Sequence, residues 1–146
     1  MAELTGGCMC GAIRYRLKSD PFDCGWCHCR TCQLSSGAPA MVFASVPEGD
    51  FEWTKGVDKV RRVTSSSFGH RVFCSECGTP LFMRLNHQPE TIDFSVAALD
   101  DTDVIAPAFH IFWGSRIGWF DPGDDLPRHD KFRPNTKGLE GTDPPE

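Results

Sequence analysis

Seven of the eight cysteines fall into three tight clusters: Cys8-Met9-Cys10, Cys27-His28-Cys29-Arg30-Thr31-Cys32 and Cys74-Ser75-Glu76-Cys77. Thiolates two or three positions apart can turn toward one tetrahedral ion, and a pair from each of two distant loops completes a four-sulfur shell, the preferred shell of structural zinc. Cys8, Cys10, Cys74 and Cys77 make two such pairs, enough for a closed site that crosslinks the chain. Cys27, Cys29 and Cys32 supply three ligands and leave one position of a tetrahedron open, and an open position on zinc is where chemistry happens. Two zinc ions per chain are therefore expected.

A disulfide framework is the competing use of an even cysteine count in a short chain. Cys-x-Cys and Cys-x-x-Cys pairs would close small, strained rings as disulfides but need no strain as metal knuckles. The N-terminal Met-Ala-Glu-Leu-Thr-Gly-Gly has no basic region and no apolar run of secretory length, so a cytoplasmic location with reduced thiols is expected. No apolar stretch approaches the length of a membrane span. A formal charge of −5 works against binding a phosphate backbone, and the Arg61-Arg62 pair is too short to reverse it, so no nucleic-acid partner is expected.

The elements that must carry these ligands are short strands. Ala12 to Lys18 alternates strictly, with Ile13, Tyr15 and Leu17 on one face and Arg14, Arg16 and Lys18 on the other, the pattern of a half-buried strand. Residues 40–46, 51–54, 60–64, 68–73, 81–85, 91–97 and 110–113 read as further strands between Gly, Pro, Asp and Asn clusters. One turn or two of helix is expected from Cys29 to Ser36, ended by Gly37, placing Cys29 and Cys32 three residues apart on one face. At 146 residues and 40% hydrophobic content the chain suits one domain over residues 4–133, and the Pro- and Gly-rich residues 134–146 read as a polar, flexible tail.

The run Gly6-Gly7-Cys8-Met9-Cys10-Gly11, the central Cys27 to Cys32 motif, and Phe73-Cys74-Ser75-Glu76-Cys77-Gly78-Thr79-Pro80-Leu81 closely resemble the glutathione-dependent formaldehyde-activating (GFA) family, also called the centromere protein V domain. His110-Ile111, Trp119 and Leu126-Pro127 look like that family's closing strand and C-terminal segment. The resemblance implies a mainly β fold, a β-tent of packed antiparallel sheets with two zinc sites and little helix. It also implies a structural zinc on Cys8, Cys10, Cys74 and Cys77, and a second, catalytic zinc on Cys27, Cys29 and Cys32. The activity it implies is that of a carbon–sulfur lyase, with S-(hydroxymethyl)glutathione formed from glutathione and formaldehyde in the named member.

A three-thiolate zinc is a poor activator of water but a good host for a fourth, exchangeable thiolate, which agrees with a thiol substrate. Cys24, three positions before Cys27, either adds a fourth sulfur and closes the second site or is a small buried hydrophobe. His28, between two ligands, is expected in a supporting or surface role. Arg30 is the cation best placed in sequence for a substrate carboxylate, with a solvated side chain as the plainer alternative. Trp26 and Phe43 could line a pocket, while His110 and Trp119 read first as core. Gly78 allows a positive φ that aims N–H groups at the sulfurs. Two other functions compete: a non-catalytic zinc-stabilised binding module, favoured if Cys24 is a ligand, and a redox enzyme using Cys24 as its nucleophile.

Overall fold

The computed structural model describes residues 3–133, so the expected tail of residues 134–146 lies outside the described residues. Ten strands form two sheets. The small sheet contains β1 (Leu4–Gly7), β2 (Arg14–Leu17) and β5 (Phe51–Lys55), with β2 in the centre. The large sheet runs in the order β10-β3-β4-β9-β8-β7-β6. Its strands are β3 (Phe22–Cys27), β4 (Met41–Pro47), β6 (Val60–Ser66), β7 (Gly69–Cys74), β8 (Pro80–Leu85), β9 (Thr91–Ser95) and β10 (His110–Ile111). The fold is mainly β, as the strand periodicity and the family resemblance both imply. One pairing departs from the antiparallel rule: β10 runs parallel to β3, with Ile111 opposite Cys27.

The two sheets face each other across the core. Ile13, just before β2, and Tyr15 and Leu17 of β2 are fully buried against Ala44, Val46, Leu81 and Phe94 of the large sheet. The outward side chains Arg14 and Arg16 pair with Asp100 and Glu52, so the alternation of β2 sorts apolar from charged groups as its sequence demands.

β1 and β3 were not expected from the sequence. β3 contains Asp23 and Gly25, both poor strand formers, and its register with β4 slips between Phe22 and Gly25, where Asp23 takes a φ of 52°. A side chain at Gly25 would collide with the Phe109 ring, whose nearest atom lies 2.1 Å from an ideal Cβ position, so the glycine is required by close packing rather than by a turn. The helix α1 (Arg30–Ser36) starts one residue later than expected, because Cys29 is its N-cap: the Cys29 Sγ accepts from the Cys32 N–H at 3.3 Å. Gly37 ends it in the left-handed conformation, with φ 67°.

Candidate functional site

Cys8 and Cys10 occupy the turn after β1, Cys74 ends β7 and Cys77 lies in the turn after it, so the four sulfurs join the small sheet to the large one. All four lie within 4.8 Å of one another. The Cys8–Cys10 and Cys10–Cys74 sulfur separations are 3.6 and 3.9 Å. A zinc–sulfur bond near 2.3 Å in a tetrahedron implies sulfurs about 3.8 Å apart, so this donor set fits zinc and is far from disulfide contact. Backbone N–H groups of Ile13 and Glu76 point at the Cys8 and Cys74 sulfurs, at 3.2 and 3.4 Å. Gly78 does take a positive φ, 79°, but its N–H serves the Cys74 carbonyl, so it shapes the turn while Glu76 reaches the sulfur.

Cys27 ends β3, Cys29 caps α1 and Cys32 lies one turn into it, and these three sulfurs also converge within 4.8 Å. The three thiols do not share their protons equally. The Cys27 and Cys32 thiols hold Cys29 down to about 3, while Cys27, bonded to Cys29 and Cys32 and buried, is pushed far up. An anionic sulfur is thus already favoured in a trio suited to a soft divalent cation.

Cys24 is not part of this trio. It stands an odd number of positions from Cys27 on one strand, so the pleat turns it to the opposite face, where it packs in the core at 3% exposure. Burial pushes its thiol up to about 11, which does not suit a redox nucleophile.

Cys27 and Cys29 of the trio line a cavity of about 410 Å³. Its floor is the face of the large sheet opposite the core, carrying Cys27, Phe43, Ser45, Arg71, Met83 and Asp93. Its cover includes Phe109, Phe112, Phe132 and Arg133. From Met41, which pairs with Cys27, to Ser45 is about 13 Å along β4, so the cavity runs from the sulfurs to a polar far end. There the Ser45 hydroxyl donates to Asp93 at 2.6 Å, and burial pushes the Asp93 carboxyl up to about 6.

Of the residues singled out in the sequence, Phe43 lines this cavity and Arg30 does not: Arg30 is exposed, with its guanidinium donating to Gln33 on the helix. The lining arginines are Arg71, Arg84 and Arg133. Arg71 donates to the Cys32 sulfur at 3.3 Å. Strand β7 brings it there from 39 positions away, and nothing in its flanks marks it. Trp26 faces away from the cavity and stacks on His110 with ring centroids 6.0 Å apart.

Trp119 was expected in the core and is 74% exposed, in a turn closed by the Phe120 N–H to the Ile117 carbonyl. His28 and His110 are fully buried and bonded to each other, Nε2 to Nδ1, at 2.8 Å. His110 Nε2 reaches Asp124 at 3.0 Å. Asp124 can only accept, so His110 carries its proton on Nε2 and accepts from His28 through Nδ1. Burial, then His110, pushes His28 down to about 4, so this relay is neutral at its inner end. It pins the central motif to the C-terminal segment, as does Gln33, whose amide donates to the carbonyls of His28 and Ser115.

The comparisons agree with this geometry. A protein of Halomonas elongata, provisionally named a glutathione-dependent formaldehyde-activating enzyme, is 25% identical over 81% of this chain and 80% of its own length. An uncharacterized lyase of Schizosaccharomyces pombe is 34% identical over 56% of this chain; the match spans 58% of that protein. A crystal structure of a Rhodobacter sphaeroides protein superposes with a TM-score of 0.56 at 20% identity, covering 85% of this chain and 98% of that one, which shows a shared fold. No helix among the described residues is long and apolar enough to cross a membrane. The family model for the glutathione-dependent formaldehyde-activating enzyme matches residues 3–115, which hold both cysteine clusters, and the chain belongs to that family.

Proposed function

We propose that this protein is a zinc-dependent carbon–sulfur lyase of a reducing, cytoplasmic compartment, making or breaking the bond between a small thiol such as glutathione and a one-carbon carbonyl such as formaldehyde. The observation that carries this reading is the convergence of three cysteine sulfurs, with no fourth cysteine in the cluster among the described residues, at a cavity large enough for a small peptide. When bound, zinc supplies the positive charge that keeps a substrate thiol ionised and its sulfur nucleophilic. Cys27, Cys29 and Cys32 are the residues to hold it there, and Cys8, Cys10, Cys74 and Cys77 are those to hold a structural ion.

The rest of the work falls to the chain. Phe43, Phe109 and Phe112 exclude water around the reacting atoms, which strengthens every charge interaction within. The His28–His110–Asp124 relay and Gln33 fix the backbone of the central motif, so that the sulfurs converge without reorganisation. Cys24 as a fourth ligand would favour the binding-module reading, and Cys24 packs in the core.

Two measurements test the proposal. Metal analysis of fresh protein should find about two zinc ions per chain, falling to about one in Cys29→Ser with the fold intact. Exchange NMR on formaldehyde mixed with a panel of small thiols should show adduct turnover that this variant lacks. No acceleration with any thiol would overturn the lyase reading.

A further inference from the structure

We infer that Arg71 is the oxyanion donor of this site: its guanidinium takes the oxygen of the one-carbon unit while the carbon–sulfur bond forms or breaks. The inference rests on the thiol-adduct reading above and adds a residue that the cysteine motifs do not contain.

Arg71 is the lining cation next to the sulfur trio, with one Nη donating to Cys32 at 3.3 Å. Its other Nη meets only the Met41 thioether, at 3.7 Å, a weak acceptor. Its Nε is buried with no acceptor at all. The guanidinium plane sits by the Phe43 ring, 5.8 Å from its centroid, on the cavity floor. No ion pair among the described residues joins Arg71 to a carboxylate. The other two lining arginines differ: Arg84 pairs with Glu48 at 3.1 Å and Arg133 with Asp23 at 2.7 Å. A planar fork of five donors, partly desolvated and touching no oxygen, is therefore held where a small anion would complete it.

The reaction creates such an anion. A thiolate sulfur gives its electron pair to the carbonyl carbon, the carbon–sulfur bond forms, and the π pair moves onto oxygen. That oxygen then takes a proton from water to give the hydroxymethyl thioether. The thiol has released one proton beforehand, so the sum is thiol plus aldehyde to adduct, with no oxidant or reductant consumed. In the reverse direction the hydroxyl proton leaves, the carbonyl reforms and the pair returns to sulfur. Charge develops on oxygen in both directions next to the sulfur, and Arg71 is fixed there before the reaction starts. An arginine guanidinium donates hydrogen bonds and not protons.

The test compares Arg71→Met and Arg71→Lys with the wild-type protein by metal content, melting temperature, calorimetric affinity for the free thiol, and turnover at saturating thiol. Arg71→Met should keep its metal and bind thiol within about twofold of wild type, while turnover falls on the order of 100-fold, the usual loss for one oxyanion donor. Arg71→Lys should recover part of the rate, because it restores the charge without the fork. Unchanged turnover in Arg71→Met overturns the inference. So does a loss of metal or thiol affinity as large as the loss of rate, since Arg71 would then serve the sulfurs and not the oxygen. If Arg71→Met does not fold, Arg71→Lys decides: retained thiol affinity with turnover lowered about tenfold or more supports the role, and wild-type turnover refutes it. Wild-type protein inert toward every adduct sinks the thiol-adduct reading itself and the role of Arg71 with it.

Discussion

Cys10 and Cys74 lie 64 residues apart in the chain, whereas Cys27, Cys29 and Cys32 lie on a single connection between β3 and α1. The donor atoms are the same, yet an ion on the first cluster would close a long loop and lock two sheets together, while one on the second would close almost none. Crosslinking distant segments removes much more conformational freedom from the unfolded chain than crosslinking neighbours does. The surroundings differ in the same sense. The four-cysteine cluster lies away from the cavity and is wrapped by backbone N–H groups, and the trio faces the cavity with an arginine beside it. On the proposed function, stability and reactivity fall to different copies of one chemistry.

The sharpest break of that contrast is Cys74→Ala. It should cost the clamp, on the order of 10 kcal/mol by the usual worth of structural zinc, and leave no cooperative thermal transition. An undiminished melt would mean that the four-cysteine cluster is not the crosslink. Cys29→Ser should do the reverse, leaving the melt within about 2 kcal/mol of wild type because no long loop is opened, while turnover disappears. Chelator titration followed by circular dichroism checks both in one series: the ion that leaves first should leave without unfolding.

A smaller effect concerns the far end of the cavity. The folded protein holds the Asp93 proton up to about pH 6, whereas the unfolded chain releases it near its ordinary value of 3.8. The native state therefore binds more protons between those two pH values, and stability falls as pH rises through that window. Asp93→Asn removes the term, so wild type should lose about 1–3 kcal/mol relative to the variant between pH 4 and 7, measured by urea unfolding at each pH. A constant difference would show that folding leaves the proton affinity of Asp93 unchanged. The smallest expected effect is that of Cys24→Ala: about 1 kcal/mol of lost packing, with metal content and turnover unchanged. A lost metal ion there would restore Cys24 as a ligand.

Spacing alone marked both cysteine sets, the alternation of Ile13, Tyr15 and Leu17, and the helix that Cys29 begins and Gly37 ends, because each depends on residues within one turn or one strand. Even the orientation of Cys24 was readable in principle, from its odd offset to Cys27, had residues 22–27 been recognised as a strand; Asp23 and Gly25 hid it. Trp119 shows the limit from the other side, since a tryptophan's apolar area says nothing about whether the chain turns it outward. Arg71, the His28–His110–Asp124 relay and the cavity cover of Phe109 and Phe132 had no local signal. Their hydrogen-bonded contacts join residues 14 to 82 positions apart, and only strand order and register decide which of several arginines, histidines and phenylalanines comes to the site. The sequence by itself determined which atoms can hold metal, because ligand spacing is a local property. The tertiary structure decided which of those sites opens on a cavity and which charged group stands beside it, because sheet pairing sets those distances.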